Sequence, residues 1–503
     1  MTENAIRSVL VVGGGTSGWI SAAVLARFLD PATTRITLVE SDEIGIVGVG
    51  EATVPIIRNL NGLLGIDEND FVAATHGSFK LGIEFRDWGR IGNVHFHGFG
   101  DFGEDIEGIA PHHHWLKLRR QGDDRPIEDY SLTYALGRRG RFTPPDPESG
   151  RGESDYRYAY HFDAALYARY LRRHCEARGV TRVEGRISDV AQHGESGDIA
   201  SVTLADGRVL EADFFIDCSG FRGLLIEETL KTGYESWAQW LPCDRAVVTA
   251  SSGEAPSPPF TTSTALEAGW QWRIPLQHRE GNGYVYASRF TSDERARELM
   301  LATLKGEPMQ EPRVLRFEGG RRKLAWNRNC VAVGLASGFL EPLESTSIQL
   351  IQTAIARLID HFPDRRRDPA IIAEYNRLCA NEVERVRDFI ILHYCLTHRT
   401  EPMWDYVRNM DLPDTLAHKI ELWKAMGRVP LMTEESYQEP SWAAIFLGNG
   451  CLPGRYDPLV DRIDTARLAR GMAARREAYA AWAERMPMQA AYIARHCAMK
   501  APA

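Results

Sequence analysis

The stretch that decides the fold is residues 8–40, SVLVVGGGTSGWISAAVLARFLDPATTRITLVE. It begins with a continuous apolar run, Val9 to Val12, of the kind found in parallel strands buried on both faces. The next six residues, GGGTSG at 13–18, fit the pattern G-x-G-x-x-G. In that pattern the glycines permit a tight turn, close approach of a pyrophosphate to the backbone, and close packing of the following helix. The stretch predicts strand, turn and then a helix from Ser17 to about Phe28.

A second predicted strand, Arg35 to Val39, ends at an acid. Glu40 lies 22 residues after Gly18, close to the spacing of a carboxylate that binds a ribose hydroxyl. Strand, turn, helix, strand and acid agree, so we favour nucleotide binding over a plain glycine-rich turn. Glu40 favours an unphosphorylated ribose, as in FAD or NAD.

Two later segments repeat this logic. The strand 212–217 ends in Asp217 and is followed by the small-residue turn CSGFRG. A third buried-type strand, 329–335, contains Gly334 and Leu335. We expect all three segments to approach one nucleotide.

Composition narrows the class of protein. The chain of 503 residues is long enough for two or three domains, and its net charge of −9 argues against a nucleic-acid partner. None of the eight cysteines forms C-x-x-C, so neither a zinc site nor a disulfide framework is indicated. No apolar run is long enough to span a bilayer, and the first strand leaves no room for a signal peptide. We expect a reduced, cytoplasmic protein that does not bind a membrane.

Three further segments have competing interpretations. The triple histidine 112–114 could bind metal, but no acidic or cysteine ligand is spaced with it, so we expect a packed or solvated loop and no metal. Residues 143–155 predict a flexible surface loop. The helical pattern Thr465 to Arg485 has an arginine-rich face, which we interpret as solvated rather than membrane-bound.

The discontinuous nucleotide segments resemble the FAD domain of single-component flavin monooxygenases. The resemblance implies an α/β fold with a Rossmann-like FAD-binding domain, an inserted β-sheet substrate region and a C-terminal helical region. The expected FAD-binding domain comprises 1–90, 160–225 and 320–362. The expected β-rich substrate region comprises 91–159 and 226–319, and the helical region is 363–503.

A more specific resemblance is to the flavin-dependent halogenases of the tryptophan halogenase family. Five motifs carry it: GGGTSGW at 13–19, VGVGEAT at 47–53, Lys80 within FKLG, GWQWRIP at 269–275 and EPLEST at 341–346. The G-W-x-W-x-I-P signature is particular to these enzymes. The resemblance implies these FAD-binding residues: Gly13, Gly15, Thr16, Ser17, Gly18, Glu40, Ala52, Asp217, Gly334 and Leu335.

The family resemblance also implies the chemistry. FADH₂ from a separate flavin reductase reacts with O₂ and halide to give hypohalous acid, which reaches a separate aromatic site through a tunnel. Lys80 would hydrogen-bond that acid or form a haloamine. Glu344 would orient the electrophile or take the ring proton. Taken alone, Lys80 is a surface strand lysine and Glu344 a helix N-terminal acid; the full motif set reverses that interpretation.

Physical reasoning supports these residue types. Hypohalous acid is a poor electrophile until a donor such as an ammonium group polarises it. A lysine in an apolar pocket has a lowered pKa, so its amine also becomes available for transfer. A nearby carboxylate stabilises a cationic ring and can act as a base.

The remaining site residues also follow from the resemblance. Thr346 and Ser347 match the loop whose amides bind halide. The family commonly has glycine at the position of Ser347, so we expect an altered halide pocket. The halide is bromide, chloride or both; the side chain puts chloride in question and favours bromide. Trp270 and Trp272 match a pair between flavin and substrate, or simple core packing. His97 and Phe99 match an aromatic sandwich for indole, or loop packing.

More than one alternative is open for the substrate and for the reaction class. The C-terminal residues that hold free tryptophan are not identifiable; Trp404, Trp423 and Trp442 are candidates only. We expect an indole without the amino acid, another electron-rich aromatic, or a carrier- or peptide-bound substrate. The competing functions are an FAD-dependent aromatic hydroxylase and a non-catalytic FAD-binding protein. A homodimer is left open.

Overall fold

The computed structural model describes residues 4–44, 50–145, 156–253 and 257–500. It is a mixed α/β structure with several sheets. In chain order the strands are β1 Ser8–Val12, β2 Arg35–Glu40, β3 Gly50–Ala52, β4 Ser78–Lys80, β5 Gly82–Arg86, β6 Val94–Gly98, β7 Ala159–Asp163, β8 Thr181–Glu184, β9 Ile187–Gln192, β10 Ile199–Leu204, β11 Val209–Glu211, β12 Phe214–Asp217, β13 Tyr234–Ser236, β14 Arg245–Ser251, β15 Thr261–Leu266, β16 Gly269–Pro275, β17 Glu280–Tyr286, β18 Arg313–Arg316, β19 Gly320–Arg322, β20 Trp326–Asn327, β21 Cys330–Ala332 and β22 Gly338–Phe339. The helices are α1 Thr16–Phe28, α2 Ile57–Leu64, α3 Glu68–Ala74, α4 Pro111–Arg120, α5 Leu132–Gly137, α6 Ala164–Glu176, α7 Asp293–Thr303, α8 Ser347–Asp360, α9 Pro369–Cys395, α10 Pro402–Asn409, α11 Asp414–Met426, α12 Glu439–Gly448, α13 Thr465–Arg485 and α14 Gln489–His496.

The first sheet is organised around β1. Its strand order is β20-β21-β12-β1-β2-β8, and β1 pairs in parallel with both β2 and β12. Val9 to Val12 are buried because the sheet is covered on both faces, as the apolar run predicts. The parallel register brings the ends of β1, β2 and β12 to one edge, where the three nucleotide-type segments meet.

The turn after β1 requires glycine at two positions, Gly13 because of its backbone conformation and Gly18 because of the close packing of α1. Gly13 has φ +110°, a left-handed conformation that L side chains rarely adopt, and its N–H donates to the Val39 carbonyl at 2.8 Å. A Cβ on Gly18 would lie 1.8 Å from the Gly13 carbonyl oxygen. The close contact of α1 with the turn therefore excludes any side chain at Gly18.

The second large sheet has seven strands in the order β18-β14-β17-β16-β15-β5-β6. The segment that contains Lys80 forms two short strands that are divided at Leu81. Its first part, β4, pairs with β7 in a three-stranded sheet, whereas β5 pairs with β6 and β15. Leu81 donates its N–H to the Pro259 carbonyl instead of continuing the strand. This break leaves Lys80 at the end of β4.

The expected substrate region contains both strands and helices, whereas the C-terminal segment is helical. The range 91–159, expected to be β-rich, carries helices α4 and α5 besides its strands, and 226–319 carries α7. From residue 363 onward the described regular elements are helical, and α13 spans the predicted Thr465–Arg485. Helices α9 to α12 pack on the seven-stranded sheet through one apolar cluster. The division of the chain into domains stays a prediction.

The histidine-rich segment corrects one expectation. His112, His113 and His114 lie in the first turns of α4 and are buried, so they do not form a loop. Pro111 at the first helical position and the cationic residues of the last turn suit a helix here. Within the residues that the structure describes, no group of three His, Cys, Asp or Glu side chains could hold a metal ion.

Two predicted segments are affected by the limits of the described chain. The Val47-Gly48-Val49 part of the second motif, and residues 146–155 of the predicted loop, lie outside the described residues. Among the helices of the described ranges, none is both long and apolar enough to cross a bilayer.

Candidate active site

A cavity of about 1100 Å³ lies at the carboxyl ends of β1, β2 and β12. Helix N-terminal amides and strand ends meet there, which is where parallel α/β sheets bind phosphates. Most of the predicted cofactor residues surround this one cavity. Those that line it are Gly13, Gly15, Thr16, Ser17, Glu40, Ala52, Gly334 and Leu335.

The glycine turn and Glu40 fit an FAD. A Cβ on Gly14 would lie 1.5 Å from Glu40 Oε2, whereas a Cβ on Gly15 would meet no atom of the described residues within 4 Å. The Glu40 carboxylate is therefore held against the turn, and Arg182 Nε donates to its other oxygen at 2.6 Å. The free space at Gly15 suits a pyrophosphate, and the fixed carboxylate suits a ribose hydroxyl.

Two predicted cofactor residues contribute in another way. Gly18 packs α1 against the turn, as described above. Asp217 is fully buried, and its carboxylate accepts N–H groups of Ser219, Leu225 and Ile226 at 2.8–2.9 Å. Asp217 thus shapes the loop 218–222, and the residues of that loop line the cavity.

Trp270 and Trp272 form one wall of the cavity. Both project from the same face of β16, and their ring centroids are 6.0 Å apart. The Trp272 indole nitrogen has no hydrogen-bond partner within the described part of the chain. A Cβ on Gly283, opposite Trp272 in β17, would lie 2.0 Å from the Trp272 ring. The sequence provides glycine there, so the ring lies flat on its neighbouring strand.

Lys80 is buried away from the cavity wall. Its side chain is 0% exposed, its Nζ donates to Ser345 Oγ at 2.8 Å and lies 5.1 Å from the centre of the Phe99 ring. Burial lowers the pKa of Lys80 to about 7, although the charge of Glu344 acts in the opposite direction. At neutral pH the ammonium and amine forms are therefore both accessible.

Ser345 connects Lys80 to the cavity. It follows the 3₁₀ turn Pro342–Glu344, adopts φ +61°, and lines the cavity while accepting the bond from Lys80. A serine in this left-handed conformation costs about 1–3 kcal/mol. The strained backbone turns the chain between Glu344 and Thr346.

Glu344 lies between two histidines. His97 Nδ1 is 3.0 and 3.1 Å from its two oxygens, and His393 Nε2 is 2.8 Å from Oε1. All three side chains are buried. Burial raises the pKa of Glu344, but the two histidines outweigh it and lower that pKa to about 2. We call Lys80, Ser345, Glu344, His97 and His393 the lysine–glutamate cluster.

Thr346 and Ser347 lie at the start of α8. Thr346 is 1% exposed, and its hydroxyl has no hydrogen-bond partner among the described residues. Ser347 is the first helical residue and lines the cavity. Free amides at a helix start, together with an unpartnered hydroxyl, suit a small anion.

His97 and Phe99 do not present two parallel rings. Their ring centroids are 6.5 Å apart and the planes meet at 75°. His97 is committed to Glu344, and Phe99 faces Lys80. The two residues therefore belong to the surroundings of the lysine–glutamate cluster, and no slot for a flat ring lies between them in this conformation.

Sequence reasoning missed His393, Ser345 and Tyr437. His393 lies near the end of the 27-residue helix α9 and resembles any other helical histidine in the sequence. Tyr437 stacks on Phe389 at 3.9 Å, and its hydroxyl is buried without a partner in the described ranges. Of the three, only Ser345 could have been found from the sequence, because it lies inside the E-P-L-E-S-T motif.

Comparison with known proteins identifies the family. A sequence model described as tryptophan halogenase matches residues 8–465. The chain belongs to the tryptophan halogenase family. It is 34% identical over 529 aligned residues to the tryptophan 6-halogenase SttH of Streptomyces toxytricini, covering 97% of each chain.

Solved structures of halogenases agree with this assignment. BrvH, a flavin-dependent halogenase from Brevundimonas sp. BAL3, matches with a TM-score of 0.94 and 47% identity, covering 98% of this chain and 99% of that one. Xcc4156, a flavin-dependent halogenase from Xanthomonas campestris, matches with a TM-score of 0.95 and 44% identity, covering 99% and 100%. The protein is therefore a flavin-dependent halogenase with the fold of that family, which implies FAD as its cofactor.

Proposed function

We propose that this halogenase uses reduced FAD, O₂ and bromide, with chloride as a poorer alternative, to halogenate an electron-rich aromatic of the indole type. The observation that supports it best is the contact of Lys80 Nζ with Ser345 Oγ. Ser345 lines the cavity that fits FAD, whereas Lys80 lies behind it beside Glu344. An oxidised halogen species leaving the cavity meets the lysine there.

The residues of the cluster divide the chemistry between them. FAD, when bound in its reduced form, supplies the electrons that activate O₂ for oxidation of halide to hypohalous acid. Lys80 in its ammonium form hydrogen-bonds the oxygen of hypohalous acid and transfers a proton to it, so that the O–X bond breaks, the oxygen leaves as water and the halogen bonds to the ring carbon. The Glu344 carboxylate stabilises the cationic ring and accepts the proton from that carbon.

Trp270 and Trp272 keep the two reactions apart. Their indoles line the cavity as a pair on β16, and we expect them to keep an aromatic substrate from reaching the flavin side. Such a barrier disfavours direct oxygen transfer to the substrate and favours the halogenase over an aromatic hydroxylase.

Thr346 and Ser347 are our proposed halide residues. The start of α8 offers backbone amides. The Ser347 side chain lines the cavity and fills space that a glycine would leave empty. We expect Ser347→Gly to raise chloride turnover relative to bromide about 3- to 10-fold, an energy difference of about 0.7–1.4 kcal/mol. Competition assays with both halides at equal concentration measure the ratio. An unchanged ratio contradicts this role of Ser347.

The substrate proposal is supported by the C-terminal tryptophans. Trp404, Trp423 and Trp442 are 0% exposed, and each indole N–H already donates to a backbone carbonyl, of Leu266, Cys451 and Tyr437 respectively. None of the three is therefore placed to hold the amino acid group of free tryptophan. This favours indole, or an aromatic presented on a carrier or peptide.

The test uses purified protein with FAD, a flavin reductase, NADH and O₂. Indole and tryptophan are offered separately with bromide or chloride, and products are identified by mass spectrometry. We expect a halogen isotope pattern on indole and little on tryptophan. Gain of one oxygen without halide indicates a hydroxylase. Flavin oxidation with no halogenated product, also with carrier- or peptide-bound indoles, contradicts the proposed substrate class.

A further inference from the structure

Two adjacent residues of α9 contact the two glutamates of the E-P-L-E turn. His393 Nε2 lies 2.8 Å from Glu344 Oε1. The Tyr394 hydroxyl donates to Glu341 Oε1 at 2.6 Å. Both glutamates are buried. The C-terminal helical region thus fixes a turn that comes from the flavin-binding side of the protein.

The surroundings of His393 determine its protonation. Its Nδ1 is 2.8 Å from the Phe389 carbonyl oxygen, and its Nε2 is 2.8 Å from the Glu344 carboxylate. A carbonyl and a carboxylate both accept hydrogen bonds, whereas a neutral imidazole has one N–H to donate. His393 is 1% exposed, so water does not offer a different partner. Both contacts are satisfied only when both ring nitrogens carry a proton.

The remaining alternative, a neutral His393 beside a protonated Glu344, fits less well. His97 Nδ1 lies almost equally far from both carboxylate oxygens, at 3.1 and 3.0 Å. A donor shared in this way suits an ionised carboxylate, in which the two oxygens are equivalent. The geometry therefore points to an imidazolium–carboxylate pair.

We propose that His393 is a positioning residue that stays protonated and holds Glu344 as a fixed, ionised carboxylate. This inference rests on the proposed role of Glu344 in halogenation. An ionised carboxylate is present before the ring becomes cationic, so it stabilises that cation at once. Because it is weakly basic, it then releases the ring proton readily and is ready for the next turnover.

Other titratable groups face Glu344 from neighbouring elements. Lys80 comes from β4, His95 and His97 from β6, and Tyr437 from the segment before α12. Burial lowers the pKa of His95 to about 3, so this histidine is neutral at working pH. It contacts Asn93 and stacks on Phe85. His95 is thus a buried, neutral histidine of the same strand and serves as the matched control.

The kinetic test compares His393→Gln with His95→Gln. Glutamine keeps one donor toward Glu344 but removes the charge, and loss of a neighbouring charge shifts a carboxyl pKa by about 1–3 units. In the pH profile of kcat, we expect the acid-side fall to occur at least one pH unit higher for His393→Gln than for the parent. KM for the aromatic should change little. The His95→Gln profile is expected to match the parent. An identical acid limb in all three proteins, or equal shifts in both variants, overturns the proposal.

A second measurement does not depend on activity or on a substrate. With ¹⁵N-labelled histidine, we expect one imidazole whose two nitrogens both remain protonated from pH 6 to 9, and its resonances should be absent from His393→Gln. A parent spectrum without such an imidazole at pH 8 overturns the inference. If it is present while no aromatic is halogenated, the positioning inference stands and the proposed function fails.

Discussion

The cavity and the lysine–glutamate cluster are built in different ways. The cavity rests on one continuous turn, residues 13–18, and on backbone groups at strand ends. The cluster joins residues far apart in the chain: Lys80 and Ser345 are separated by 265 positions, and His97 and Glu344 by 247. The first site is a property of a local motif, whereas the second exists only when β4, β6, the 342–344 turn and α9 have all packed together.

The energetics of the two regions differ as well. Backbone amides at a helix start offer partial charges that solvent and ligand can satisfy. The cluster instead buries an ammonium-forming lysine and a carboxylate, each of which costs free energy to remove from water. Removal of one charged group there leaves its partner uncompensated. Substitutions of Lys80 or Glu344 should therefore abolish chemistry, while substitutions at the turn should weaken cofactor binding.

The largest expected effect is that of Lys80→Met. We expect halogenation to fall by about 10³-fold or more, because the N–H group that Lys80 presents at Ser345 is lost, while FAD binding and flavin oxidation persist. Product formation by mass spectrometry and NADH-driven peroxide release are measured together. Lys117→Met serves as a buried-lysine control, since Lys117 donates to the Val460 and Ile463 carbonyls. Normal halogenation by Lys80→Met rules out the assigned role.

An intermediate effect is expected at the glycine turn. Gly14→Ala places a methyl group 1.5 Å from Glu40 Oε2 and should lower both the stability of the FAD-free protein and FAD affinity. The methyl group of Gly15→Ala meets no atom within 4 Å in the part of the chain that the structure describes, so this substitution should lower FAD affinity alone. We expect Kd for FAD to rise about 10-fold or more in both, about 1.4 kcal/mol. Flavin titrations and thermal melts separate the two variants; unaltered Kd in Gly15→Ala contradicts the placement of FAD against this turn.

A further prediction concerns the dependence of stability on pH. The folded-state pKa of Lys80 is lowered from 10.5 to about 7, so between these values the unfolded chain binds one more proton than the folded chain. The stability of the parent relative to Lys80→Met should therefore rise as pH increases from 7 toward 10.5, by at most about 1.4 kcal/mol per pH unit. Below pH 7 the difference should be constant. Denaturant unfolding at pH 7, 8 and 9 measures it, and a difference independent of pH refutes the buried, neutralised lysine.

Some elements of the fold could be predicted from the sequence and others could not. The β1 strand, the glycine turn, α1 and α13 follow from apolar periodicity and glycine pattern, and the structure has them at or near the predicted bounds. The break between β4 and β5 at Leu81 could not be predicted, because it depends on a hydrogen bond to Pro259, far away in the sequence. The triple histidine was misjudged as a loop because its burial depends on packing against other segments.

By itself, the sequence determined the nucleotide-binding frame and, through the resemblance of its motifs, the family of the enzyme. These features are local, because a glycine turn between a buried strand and a helix has the same geometry wherever it occurs. Only the tertiary structure decided that Lys80 is buried on Ser345, that Glu344 lies between His97 and His393, and that the three C-terminal tryptophans have their indole N–H groups satisfied. Burial and partner choice set the protonation of these groups, and both depend on contacts between segments that no local pattern encodes.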